Sequence, residues 1–217
     1  MRNQEFVFVP DIVLATINAK WIHPSLALRL LKANLGSLEG QSEILEFALR
    51  QPLEEKITGI LAARPRLLGL SVSVWNHLAT LELLKALEPE WEKLGAGGRP
   101  LVVLGGPEVS WLSEDSRIFR HADYVIRGEA EESFRSLCNE VFRDGSPLVP
   151  AGKTIFINQG NTVVNLNEIA PAYRLYSDED LQKKLTYVEA SRGCPFACEF
   201  CQAGSQDTRE FPLEPFL

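Results

Sequence analysis

Short apolar runs alternate with amphipathic segments along the first two-thirds of the chain. Five runs are rich in Val, Ile and Leu and do not alternate apolar with polar positions; they lie at residues 12–17, 42–49, 66–74, 101–106 and 122–129. Such runs are typical of parallel strands buried on both faces of a sheet. Between them, apolar residues recur at helical spacing, at residues 25–38, 53–65, 78–94 and 131–145. The pattern predicts an α/β fold, a Rossmann-like five-stranded parallel sheet flanked by helices.

The alternation of strand and helix patterns ends near Ser146. The stretch "KTIFINQGNTVVNL" (153–166) has two β-rich halves around a polar, glycine-containing tip and predicts a β-hairpin. The stretch "KLTYVEASRG" (184–193) predicts one strand that runs directly into a group of cysteines. We therefore predict a Rossmann-like domain over 1–145, a hairpin and linker over 146–182, and the incomplete start of another domain over 183–217.

Composition narrows the choice of partner and location. The 217 residues carry a formal charge of −7, from 22 basic and 29 acidic side chains, which disfavours a nucleic-acid partner. The sequence has no apolar run long enough for a transmembrane helix, so we expect no membrane contact and a cytoplasmic location.

The four cysteines fall into two kinds. Cys138 stands alone on a predicted helix, where a small buried apolar side chain is expected. Cys194, Cys198 and Cys201 are spaced Cys-x3-Cys-x2-Cys on one short loop. A structural zinc site usually needs four ligands, whereas three thiolates suit an iron–sulfur cluster with one iron left open. Zinc remains the alternative at this point.

The stretch "SRGCPFACEFC" (191–201) resembles the signature of the radical S-adenosylmethionine (radical SAM) enzymes, with Phe200 at the aromatic position of that pattern. The resemblance implies a 4Fe–4S cluster held by Cys194, Cys198 and Cys201. It implies that S-adenosylmethionine chelates the fourth iron and is cleaved to a 5′-deoxyadenosyl radical. It also implies an electron donor such as a flavodoxin or a ferredoxin, and a partial (β/α) barrel of which "LTYVEAS" would be the first strand.

The loops that follow the predicted strands are the candidate ligand site. Ligands of open parallel sheets bind beyond the carboxyl ends of the strands, which here lead into "NAKWIHP", "SVSVWNH", "GGPEVS" and "RGEAEE". No G-x-G-x-x-G follows the first strand, so a dinucleotide fingerprint is absent. Joined to a radical SAM motif, this domain resembles the cobalamin-binding domains of cobalamin-dependent radical SAM enzymes.

Three motifs of the cobalamin-binding pattern can be matched to this sequence. Its GG falls on Gly105 and Gly106, and its SxL falls on Ser71 to Ser73, where Ser73 departs from the leucine. The resemblance places Ser71 beside the dimethylbenzimidazole tail of the cofactor. Its DxHxxG falls on the loop after the first strand, with the substitutions Asn18 for Asp, Lys20 for His and His23 for Gly.

The lysine changes what the resemblance implies for cobalt. A protonated ammonium group cannot ligate a metal, so the match implies cobalamin with its own base displaced and no histidine in its place. His23 and His77 are nearby alternative ligands, or ordinary loop histidines. Trp21, Trp75 and Asn76 either line the lower face of the corrin ring or pack within the protein.

Two further loops resemble the family pattern. They contribute the candidate cofactor-binding residues Pro107, Glu108, Gly128 and Glu129. Each has a structural alternative, because Pro107 can stiffen a strand-to-helix turn and Glu129 can favour the positive end of a helix. Arg127 could meet polar groups of the cofactor or lie on the surface.

The resemblance implies a methyltransferase that uses methylcobalamin and a 5′-deoxyadenosyl radical to methylate an unactivated carbon of a small-molecule substrate that the sequence does not identify. Another radical rearrangement is the alternative reaction, since some members of the family carry one out. We expect this chain to be the N-terminal part of such an enzyme, inactive alone but able to bind cobalamin. The alternative is a cobalamin-binding carrier or sensor without catalysis.

Overall fold

The computed structural model describes residues 9–95, 97–143, 153–158, 163–196, 198–201 and 207–212. Six strands form one sheet: β1 (Ile12–Asn18), β2 (Ser42–Ala48), β3 (Leu67–Ser71), β4 (Leu101–Gly105), β5 (Tyr124–Ile126) and β6 (Ile155–Ile157). All neighbouring strands are parallel, in the order β2–β1–β3–β4–β5–β6. The Rossmann-like fold is confirmed, with all five predicted strands in place. The strand order reverses between β1 and β3, which is where such sheets open a ligand crevice.

Helices cover both faces of the sheet. They are α1 (Leu26–Ala33), α2 (Leu53–Ala63), α3 (His77–Lys93), α4 (Pro107–Trp111), α5 (Glu131–Arg143) and α6 (Asp178–Lys183). The four predicted helices are confirmed, and α4 and α6 are additional. The described residues contain no helix that is long and apolar enough to cross a membrane.

Alternate residues of each strand pack on opposite faces of the sheet. On one face, residues such as Leu68 and Leu104 pack against α2 and α3. On the other, residues such as Leu14 and Val103 pack against α1 and α5. Cys138 of α5 is fully buried in this second layer, and burial raises its pKa to about 12. The predicted structural role of Cys138 is thereby confirmed.

The sixth strand corrects the predicted five-stranded sheet and the predicted hairpin. Residues 155–157 pair in parallel with β5, from Tyr124↔Ile155 to Ile126↔Ile157, and not with the apolar stretch that follows them. Residues 163–166 form no strand, and residues 159–162 lie outside the described residues. An apolar triplet indicates a strand but not its partner, and β5 offered a free edge. The three-part division of the chain stays a prediction.

The strand predicted before the cysteines is also wrong for most of its length. Residues 185–190 form no strand, and only β7 (Ser191–Arg192) pairs, in antiparallel fashion, with β8 (Arg209–Glu210). A strand needs a neighbour for its backbone N–H and C=O groups, and within the described ranges no barrel strand lies beside this segment. The barrel expected there is therefore not seen in this structure.

The segment after β6 packs on the outer side of α1. Val164, Leu166, Ile169 and Ala172 form a small apolar cluster with Leu30 and Ala33. A buried ion pair strengthens this attachment, since Arg29 of α1 donates to Asp180 of α6 over 2.7 Å. Helix α1 is therefore held between the sheet and this segment.

Candidate cofactor-binding site

A deep cavity of about 840 Å³ lies at the carboxyl half of the sheet, on the face covered by α1 and α5. Its floor is apolar, and includes Leu14, Val103, Ile126, Leu28, Leu31 and Phe134. Its mouth is polar, and includes Ser71, Ser110, Arg127, Glu129, Glu131, Glu189 and Arg192. Small-molecule sites typically enclose roughly 300–1,000 Å³. The cavity therefore has the size and polarity gradient of a site for a large ligand with an apolar end.

Two glycines on adjacent strands leave this space open. A Cβ atom on Gly69 would lie 3.1 Å from Leu14 Cδ2 and 3.5 Å from Phe134 Cε2, so a side chain there would crowd the floor. A Cβ atom on Gly105 would have one heavy-atom neighbour within 4 Å, the carbonyl oxygen of Ile126 at 3.7 Å. A side chain at Gly105 would therefore fit the backbone and occupy the cavity.

Gly106 allows the ends of β3 and β4 to approach closely. Its φ of 102° is a conformation that favours glycine, and a Cβ atom would lie 2.6 Å from the carbonyl oxygen of Val72. Val72 N–H donates to Gly105 O over 2.8 Å, and Glu108 N–H donates to Val72 O over 3.1 Å. These backbone contacts hold Ser71 and the two glycines together at the cavity wall.

Ser110 joins the loops that follow β4 and β5. Its hydroxyl donates to Gly106 O over 3.0 Å and accepts from Gly128 N–H over 3.0 Å. Gly128 has a φ of 70° and, like Pro107, lines the cavity. Arg127 lines it too, and its guanidinium donates to Leu112 O over 2.8 Å. The predicted loops "GGPEVS" and "RGEAEE" thus meet at one wall.

Asn76 and Asn18 make hydrogen bonds within the fold and are not part of the cavity lining. Asn76 is fully buried; its amide donates to Ile17 O over 3.0 Å and to Ser71 O over 3.2 Å, and it accepts from Ser73 N–H over 2.8 Å. Asn18 donates to Glu46 Oε1 over 3.2 Å. Both side chains hold the loops after β1 and β3 in place, and cofactor contact by Asn18, Ser73 or Asn76 stays a prediction.

The candidate groups for the lower face of a corrin ring lie on the loops after β1 and β3. Lys20 is exposed, and Trp21 and Trp75 are about half exposed. His23 Nδ1 lies 2.6 Å from the hydroxyl of Tyr187.

His77 Nδ1 lies 3.0 Å from Glu108 Oε1. Glu108 itself is not among the cavity-lining residues. The predicted cofactor contact of Glu108 stays a prediction.

The cysteine loop lies at the surface. Cys194 is half-buried, Cys198 and Cys201 are exposed, and Phe200 is 93% exposed. Cys201 N–H donates to Cys198 O over 3.0 Å. In the part of the chain that the structure describes, no group of three or more His, Cys, Asp or Glu side chains is arranged to hold a metal ion. The three thiols have the donor chemistry of an iron–sulfur cluster, and their ligand role stays a prediction.

A buried charge network that sequence reasoning missed lies at the cavity mouth. Arg192, next to the cysteine motif, contacts Glu131 Oε1 at 2.5 Å, Glu189 Oε2 at 3.1 Å and Glu129 Oε2 at 3.5 Å. Burial alone would lower the pKa of Arg192, but its bonds to Glu131 and Glu189 outweigh burial and raise that pKa. Arg209 of β8 also pairs with Glu129. No local pattern signals these contacts, since Arg192 and Glu131 are 61 residues apart.

The family model "B12 binding domain" matches residues 12–138, which is more than half of the chain. The chain therefore belongs to the B12-binding domain family. The matched residues hold the first five strands and the wall of the cavity formed by Ser71, Gly105 and Gly106.

Curated relatives agree with this assignment. The chain is 26% identical over 174 residues to "Cobalamin-dependent radical SAM methyltransferase TokK" of Streptomyces tokunonensis, covering 71% of this chain and 24% of the relative. It is 32% identical over 130 residues to "Bacteriochlorophyllide d C-8(2)-methyltransferase" of Chlorobaculum tepidum, covering 56% of this chain and 26% of the relative. The chain thus spans about a quarter of the length of these relatives.

A solved structure shows the same fold. The "Cobalamin-dependent S-adenosylmethionine radical enzyme OxsB with aqua-cobalamin and S-adenosylmethionine bound" superposes with a TM-score of 0.70 at 18% identity, covering 95% of this chain and 30% of that one. The structural match shows the fold, and the named relatives confirm the resemblance to cobalamin-dependent radical SAM proteins that the motifs predicted.

Proposed function

We propose that this chain binds cobalamin, with the nucleotide tail of the cofactor in the cavity between the sheet, α1 and α5. The observation that carries the proposal is the cavity itself, which is 840 Å³ in volume and bordered by the family's glycine pair. Its apolar floor suits dimethylbenzimidazole, and its polar mouth suits ribose and amide groups. Ser71, Gly105, Gly106, Pro107 and Gly128 would line the tail.

The cobalt is proposed to have no histidine ligand. Lys20 stands at the motif position where the family pattern has histidine, and its ammonium group cannot ligate metal. His23 and His77, whose Nδ1 atoms contact Tyr187 and Glu108, are the alternative ligands through Nε2. Electron paramagnetic resonance of the bound cob(II)alamin form would test this, because a histidine ligand adds nitrogen hyperfine splitting that we expect to be absent.

We further propose that the parent protein is a cobalamin-dependent radical SAM methyltransferase of the cytoplasm. The named relatives and the motif at Cys194, Cys198 and Cys201 support it. When bound, the cluster and S-adenosylmethionine would supply a 5′-deoxyadenosyl radical, and methylcobalamin would supply the methyl group. A flavodoxin or a ferredoxin would donate electrons. Detection of 5′-deoxyadenosine under reducing conditions tests the radical chemistry.

Cobalamin binding is tested by titrating the chain with hydroxocobalamin and following the visible spectrum. We expect saturation at one equivalent, with an affinity on the order of micromolar or tighter. The matched variant is Gly105→Val, because its Cβ fits the backbone while its methyl groups occupy the cavity. A Gly105→Val protein that folds normally and binds as tightly as the wild type would contradict the proposed site.

A further inference from the structure

We infer that Glu131 and Arg192 couple the cavity to the cysteine loop, with one carboxylate oxygen of Glu131 accepting a hydrogen bond from the bound ligand and the other fixing Arg192. The inference rests on the proposed cobalamin site, and it assigns a binding role to Glu131 and a positioning role to Arg192.

One oxygen of the Glu131 carboxylate is buried without a partner in the described part of the chain, at a residue that lines the cavity. Only 6% of the Glu131 side chain is exposed, and the residue lines the cavity. Oε1 accepts from Arg192, whereas Oε2 is buried and has no hydrogen-bond partner among the described residues. A buried carboxylate oxygen without a partner is costly in free energy. A donor on a ligand in the cavity would remove that cost.

The unpartnered oxygen of Glu131 favours a ligand that donates a hydrogen bond. Three carboxylates, those of Glu129, Glu131 and Glu189, face the two guanidinium groups of Arg192 and Arg209. Arg127 lines the same cavity, so these three carboxylates are matched by three guanidinium groups and the ligand needs no charge of its own. Cobalamin offers matching groups, since its corrin side chains end in carboxamides and its ribose carries a hydroxyl group.

Arg192 transmits the position of Glu131 to the cysteine motif. It lies two residues before Cys194, and its side chain is 11% exposed. Two parallel contacts of 3.1 Å to Glu189 fix the plane of its guanidinium group. Its backbone belongs to β7, so a ligand that fixes Glu131 also fixes the strand that enters the loop.

The test combines hydroxocobalamin binding with the alkylation rate of Cys194, followed by mass spectrometry in the 217-residue chain. Glu131→Gln keeps the shape of the side chain but replaces one acceptor with a donor. We expect hydroxocobalamin to bind about tenfold more weakly to this variant, the loss of a hydrogen bond to a charged group. The matched control is Glu132→Gln, which removes the same charge from a neighbouring residue that does not line the cavity.

The alkylation rate tests the coupling. In the wild type and in Glu132→Gln, saturating hydroxocobalamin should slow alkylation of Cys194 roughly threefold or more, because a fixed loop opens less often. The slowing should be lost in Glu131→Gln at saturation. Arg192→Lys keeps the charge but not the planar fork, so it should lose the slowing of Cys194 even at saturating hydroxocobalamin.

The outcomes separate this inference from the proposed function. A wild-type chain that takes up no hydroxocobalamin overturns both. Normal binding by Glu131→Gln, or equal slowing of Cys194 in all four proteins, overturns the coupling and leaves cobalamin binding intact. Far-UV circular dichroism identifies any variant that fails to fold, and in that case Arg192→Lys decides the coupling.

Discussion

Replacing Gly106 with alanine should destabilise the protein and disrupt its cavity. The backbone at Gly106 has φ 102° and ψ 172°, a region that is essentially limited to glycine and costs other residues roughly 1–3 kcal/mol. The new Cβ would also lie 2.6 Å from Val72 O and 2.9 Å from Val72 N, so backbone must move. Such overpacking adds about 1–3 kcal/mol. We expect the free energy of unfolding to fall by about 2–6 kcal/mol.

The assay for this prediction is urea unfolding followed by circular dichroism, with Gly36→Ala as the control. Gly36 has a positive φ of 62°, but a Cβ there would meet no atom within 4 Å. The free energy of unfolding of Gly36→Ala should therefore fall by about 1–2 kcal/mol, from the unfavourable backbone conformation alone. Gly106→Ala should also lose affinity for hydroxocobalamin, which Gly36→Ala should retain. Equal stability losses in the two variants would refute the steric reasoning.

Three further predictions concern buried groups outside the cavity. Asn76→Ala should lower the free energy of unfolding by about 2–4 kcal/mol, because it leaves several buried backbone groups unpaired. Urea titration measures this loss, with Asn139→Ala at an exposed site as the control. A loss no larger than that of the control would contradict the prediction. The folded pKa of Asp180 lies below its ordinary value of 3.8, since its bonds to Lys184, Ser177 and Arg29 outweigh burial. The stabilisation from the Asp180 carboxylate is therefore present above pH 3.8 and lost as the pH falls below that value. Asp180→Asn should make the free energy of unfolding depend less on pH on the acid side. An unchanged pH dependence would count against this. Cys138 should resist alkylation in the native chain while Cys198 reacts, as peptide mass spectrometry can show; equal rates would contradict the burial of Cys138.

The sheet could be predicted because two-sided burial leaves a direct mark on sequence. Leu101 to Leu104 of β4 are all buried, so no polar residue interrupts the run. The pairing of β6 could not be predicted in the same way. Ile155–Ile157 is a short apolar triplet that fits a hairpin or a sheet edge equally well, and the free edge of β5 decided between them.

The cavity wall was predictable at its turns and not at its floor. Gly105 and Gly106 were visible because they match the GG of the cobalamin-binding pattern, and at Gly106 a close backbone approach demands glycine. Leu31 and Phe134 line the same cavity, yet in the sequence they read as ordinary core positions of amphipathic helices. The Glu131–Arg192 pair depends on tertiary structure alone, since no periodicity connects two residues so far apart in sequence.

The most direct test of the cobalamin site is a crystal structure of this chain grown with hydroxocobalamin. We predict electron density for the dimethylbenzimidazole tail inside the cavity, between Gly105 of β4 and the apolar side chains of α1 and α5. Density for the cofactor elsewhere on the chain, with the cavity filled only by solvent, would contradict the account.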